Sequence, residues 1–132
     1  MSGETDLATL LRSMQPLLRP EIYVFVTLPP GEPAPASLSP VMTFPEEEGL
    51  TLIIPRHEAT AGGLTGAFPC RMITLNVHSS LQAVGFLATV AARLAAAGIS
   101  TNAASAFYHD HLFVPVDQAE EAVTILKQLA QS

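Results

Sequence analysis

The sequence predicts an α+β fold of ferredoxin-like type, with antiparallel strands and helices packed on one face. Three observations carry this. Met72 to Val77 alternate, with Ile73, Leu75 and Val77 on one side and Met72, Thr74 and Asn76 on the other, the period of a half-buried strand. An alanine-rich helical run follows. The order of elements from there is strand, helix, strand, strand, helix, a split β-α-β unit that lacks its usual fourth strand.

Taken in chain order, DLATLLRSMQPLL sets Leu7, Leu10, Leu11 and Met14 at helical spacing, with Asp6 or Thr5 as N-cap and Pro16 as the limit. EIYVFVTLPP reads as a strand over Ile22 to Leu28, because its residues are β-branched and aromatic and prolines bound it. GEPAPASLSP is a proline-rich surface loop between strands. VMTF and, past the acidic turn EEEG, LTLIIP resume the apolar pattern, and RHEATAGGLTGAFP forms a second loop. Ser79 stands three residues before Gln82, a capping-box spacing that starts a helix running to Gly98, whose missing Cβ suits the left-handed end position. ISTNAASAFYH and HLFVPV are two strands joined tightly at Asp110. Asp117 caps a last helix with Ala119, Val123, Ile125, Leu126 and Leu129 on its apolar side. The chain's last residue, Ser132, comes before a fourth strand, so the first half or another subunit must supply one.

Composition narrows the function classes. The 132 residues are 48% hydrophobic and only 14% charged, enough for a sizeable core and too little charge to cover the outside, so apolar surface is expected against another copy or another half. Net charge is −6, and Arg12, Arg19, Arg56, Arg71, Arg93 and Lys127 are spread along the chain. No basic stripe exists for a phosphate backbone, which argues against nucleic acid. Cys70 is the single cysteine, which excludes an intramolecular disulfide and a cysteine-based zinc site; it reads as a buried structural thiol. The acidic start MSGETDLATL is unlike a signal peptide, and the most apolar run, Leu81 to Ile99, is interrupted by Gln82, Thr89 and Arg93. A soluble, cytoplasmic protein is the expectation.

The run TLNVHSSLQAVGFLATVAARLAAAGISTNAASAFYHDHLFVP, together with EEEGLTLIIP, resembles the small bacterial ACT-domain proteins, with VHSSLQAVG and YHDHLFVP as its most specific segments. The resemblance implies tandem ACT-like units, one over residues 1–66 and one over 67–132. It also implies a regulatory module that binds amino acids or other small metabolites at interfaces; a non-catalytic role without a cofactor is the expectation. In the general ACT pattern the loop after the first strand carries an acidic residue and a glycine. Here that stretch is His78, Ser79, Ser80 and Leu81, without the glycine.

Candidate ligand residues follow. Amides at a helix N-terminus and the hydroxyls of Ser79 and Ser80 suit a carboxylate, or the serines only cap the helix. In the acidic turn, Glu48, beside Gly49 and the strand carrying Thr51, suits an amino group; exposed charge at a turn is the plain alternative. Asn102 offers a donor and an acceptor, to a ligand or to local backbone.

FYHDHLFVP holds His109, Asp110 and His111, which a metal-dependent enzyme would use together with His78. A turn at Asp110 would keep the two histidines off one face, and no phosphate loop, nucleophile elbow or HExxH helix is present. The stretch reads as a structural hairpin beside a binding site. A pure interaction module is the third reading. The shortage of surface charge points to a homodimer.

Overall fold

In the computed structural model, which describes residues 3–132, the first helix forms as its cap dictates. Asp6 accepts a bond from the Thr9 amide at 3.0 Å, and α1 runs Leu7–Ser13. The other elements are β1 (Pro16–Leu28), β2 (Met42–Glu46), β3 (Gly49–Pro55), α2 (Arg56–Ala61), β4 (Ala67–Leu75), α3 (Phe86–Ala96), β5 (Asn102–Ser105), β6 (Asp110–Pro115), a 3₁₀ turn (Val116–Gln118) and α4 (Ala119–Gln131). Among the described residues no helix is long and apolar enough to cross a membrane.

The chain divides into two compact units. The smaller is Glu21–Cys70, and the larger joins the residues up to Pro20 with Arg71–Ser132. Both boundaries fall inside strands, β1 and β4.

In the smaller unit the strand order is β2-β3-β1, antiparallel, with Val24 opposite Ile54 and Glu46 opposite Gly49 across the β2–β3 turn. Val24, Val26, Leu28, Leu52 and Ile54 close over Ala59 of α2 as one core. The helix α2 lies where a loop was expected. Six residues are too few to show an apolar period, and the glycines at 62 and 63 dominate the local pattern.

The larger unit has the strand order β1-β4-β6-β5. β1 is the strand that the split unit lacked, and it begins at Pro16, six residues earlier than Ile22. Helices α1, α3 and α4 meet one another. Leu10, Met14, Phe86, Val90, Leu94, Ala122 and Leu126 close over Ile73, Leu75, Leu112 and Val114. Each large apolar side chain so buried contributes about 1.5–3 kcal/mol. Met72 and Thr74, on the opposite side of β4, are buried too, so this strand is covered on both faces rather than one.

Three local expectations are corrected. α3 begins at Phe86, not Ser79. Ser80 Oγ takes the Gln82 amide at 3.1 Å in a tight turn, and the chain enters the helix only through Gly85, whose φ of +89° favours a residue without Cβ. Gly98 does end α3 in the left-handed region, with the Ile99 amide returning to the Leu94 carbonyl at 3.0 Å. Asp110 is not the hairpin tip. It is the first residue of β6, paired with Ser105, and the turn closes before it through the bond from the Ala106 amide to the His109 carbonyl. Asp117 lies inside the 3₁₀ turn, and no side chain caps α4.

Candidate functional site

Pairing β5 with β6 places Ser105 opposite Asp110, and this pair forms one wall of a cavity of about 90 Å³ in the larger unit. Ser79, Ser80, Leu81 and Ala83 form the second wall, Phe86 and Leu87 of the first turn of α3 the third, and Ala106 and His109 the rim by the hairpin turn. The polar lining is sequestered. Ser79, Ser80 and Asp110 are 8%, 4% and 8% exposed.

Asp110 is the unusual member. Its Oδ1 accepts from Ser105 Oγ, and among the described residues no basic side chain pairs with it; the ion pair that forms is His57 with Glu21, in the smaller unit. A carboxylate so buried, with a serine hydroxyl on one oxygen, can accept a hydrogen bond from a positive group brought by a ligand.

In another wall of the cavity, the N-terminus of α3 has no side-chain cap, and its Thr89 amide bonds to the Gly85 carbonyl. The amides before Thr89 have no partner inside the helix and carry the positive end of its dipole, which favours an anion. The cavity therefore has a buried carboxylate in one wall and the first turn of α3 in another.

The loop before α3 is held from behind. The Glu4 amide donates to the His78 carbonyl at 2.8 Å, and the Ser80 amide donates to the Glu4 carbonyl at 2.9 Å. Ser79 Oγ turns to the Ser80 carbonyl at 3.4 Å. The His78 ring lies 5.3 Å from that of Tyr108, with its Nε2 buried and unbonded.

Of the residues singled out from sequence, Ser79, Ser80 and Leu81 line the cavity, and His78 precedes them. Asn102 opens β5 opposite Phe113, exposed and outside the lining. Glu48, Gly49 and Thr51 belong to the smaller unit, where Thr51 Oγ1 donates to Glu46 Oε1 at 2.6 Å and Glu48 is exposed in the turn. His109 lines the cavity, while His111 Nδ1 meets Thr74 Oγ1 at 3.1 Å, and Thr74 in turn accepts from Arg19 Nε at 3.3 Å. Burial first, then the charges of His109 and Arg19, holds the His111 imidazole below its ordinary value. Among the described residues no three metal-ligating side chains converge. Sequence reasoning missed Ser105 and the buried role of Asp110. The available signal was a serine and an aspartate five apart at the ends of two short apolar runs.

One family model for the ACT domain matches residues 2–71 and a second matches residues 67–128. None of the curated proteins matches the chain. Among solved structures, a protein of unknown function from Vibrio cholerae, VC0802, described as a possible transport protein, is 42% identical over 98% of this chain and 100% of its own, with a TM-score of 0.84. Atu0741 from Agrobacterium tumefaciens is 17% identical over 89% of each chain, TM-score 0.74. The ligand-free regulatory subunit of aspartate kinase from Thermus thermophilus is 11% identical over 90% of this chain and 97% of its own, TM-score 0.67, a likeness of fold.

Proposed function

Because the chain belongs to the ACT-domain family, we propose that it is a non-catalytic regulatory module that binds an α-amino acid in the cavity between Ser79 and Asp110. The buried Asp110 carboxylate, bonded to the Ser105 hydroxyl in the cavity wall, carries this reading. It would take the ligand's ammonium, with Ser105 orienting it. The uncapped N-terminus of α3, aided by the hydroxyls of Ser79 and Ser80, would take the carboxylate. Glu48, Gly49, Thr51 and Asn102 are left out of this pocket, since none lines it.

The two family matches support ACT-like halves over residues 1–66 and 67–132. A cytoplasmic, homodimeric protein completes the proposal. Leu81, Val84, Phe107 and Tyr108 are 56–84% exposed around the same loop and hairpin, an apolar surface suited to a second copy.

The test is thermal denaturation across the twenty amino acids. A bound amino acid at a hundred times its dissociation constant stabilises the fold by about 2.7 kcal/mol. Asp110→Asn should weaken binding by at least about tenfold, the worth of one charge-assisted bond. Stabilisation by none of the twenty, or an Asp110→Asn variant that binds as tightly as the parent, would remove this function.

A further inference from the structure

Gly3 and Glu4 lie across the back of the Ser79–Ser80 loop as a two-residue strap. Glu4 pairs with Ser79 as a parallel bridge, bonded to the His78 carbonyl and the Ser80 amide. Gly3 is pressed so close that a Cβ on it would stand 2.7 Å from the Ser80 nitrogen and 2.8 Å from its Cα, and its φ is +99°. Only glycine fits without moving one of the two backbones. Glu4 is also tied forward. Its carboxylate accepts from the amides of Thr5 and Asp6, both at 3.0 Å, and Asp6 caps α1.

The front of the same loop lines the cavity with Ser79 and Ser80, and between β4 and α3 it has no regular secondary structure to hold it. We propose that Gly3 and Glu4 are positioning residues for the ligand site, setting the loop through backbone pairing. Binding at the front of the loop and docking of the strap at its back are then linked, each strengthening the other. The inference rests on the amino-acid site proposed above.

Three variants separate strap from site. Gly3→Ala introduces the clashing Cβ, and Glu4→Pro removes the amide that reaches the His78 carbonyl. Glu4→Gln keeps the backbone bridge and an acceptor side chain, and serves as the conservative control. Affinity for each of the twenty amino acids is measured by calorimetry, and exchange of the Glu4 and Ser80 amides by NMR with and without each one that binds. Gly3→Ala and Glu4→Pro should weaken binding by about five- to tenfold, the worth of one or two backbone bonds, and speed Ser80 exchange, with Glu4→Gln unchanged. In the parent protein the bound amino acid should slow Glu4 exchange, which a strap of merely structural role would not show. If an amino acid binds parent and strap variants equally and leaves Glu4 exchange unchanged, the strap fails while the site stands. If none of the twenty binds the parent protein, the coupling falls together with the site.

Discussion

Cys70 has no exposed surface, and burial pushes its thiol up to about 12. At pH ~8 roughly one such thiol in ten thousand would be ionised, so alkylation by iodoacetamide should be negligible in the native protein and appear only with unfolding. His111 makes the opposite kind of prediction. Its folded value lies below the ordinary 6.5, so the unfolded chain binds the proton more readily. The stability that neutral His111 supports is present above 6.5 and is lost as pH falls through that value toward the lower folded one. Melting temperature should drop between about pH 7 and about pH 5, and His111→Gln should flatten that slope. Cys70 was legible from its place after a proline at the head of an apolar run. Asp110 was not. A lone aspartate between histidines carries the local preference of a turn, and only the cross-strand pairing with Ser105 makes it a buried residue. The nearest sequence neighbours say nothing of that partner.

At the scale of elements, α3 shows how a local rule can be satisfied by the wrong structure. The spacing of Ser79 and Gln82 matches a capping box, yet Ser80 uses the Gln82 amide in a turn and the helix waits for Gly85. Gly85→Ala should destabilise the fold by about 1–2 kcal/mol, the cost of a Cβ in the left-handed region. Steric crowding adds little, because the nearest atom to that Cβ is Leu7 Cδ2 at 3.7 Å. Urea denaturation measures this. Of the two caps the sequence offered, Thr5 and Asp6, it is Asp6 that accepts from the Thr9 amide, three residues on in a strongly periodic helix. The short α2 and the early start of β1 escaped notice because neither has enough length or patterning to outweigh its glycines and prolines.

For the molecule as a whole, the alternation in β4 and the order of the elements after it were sufficient to infer the sheet and its missing strand, since period and order are properties of the chain itself. Which strand fills the gap depends on pairing between distant residues, and that has no local signature. The proposed homodimer belongs to this scale. Light scattering at micromolar concentration should give a mass near twice 14.0 kDa. Leu81→Glu combined with Phe107→Glu should return it to a single copy, since unpaired charge in an apolar contact is strongly unfavourable. A parent protein that remains at 14.0 kDa would rule the dimer out.

The division of the chain also sets a timetable for synthesis. The smaller unit is one continuous segment, Glu21–Cys70, but the larger is interrupted by it. Leu10 and Met14 leave the ribosome early, yet the residues that bury them lie from Ile73 to Leu126. At 5–20 residues per second, the wait is on the order of ten seconds. During it the amphipathic α1 is an unsheltered apolar segment, open to a chaperone or to a neighbouring nascent chain, and its final burial has to follow emergence of the last helix.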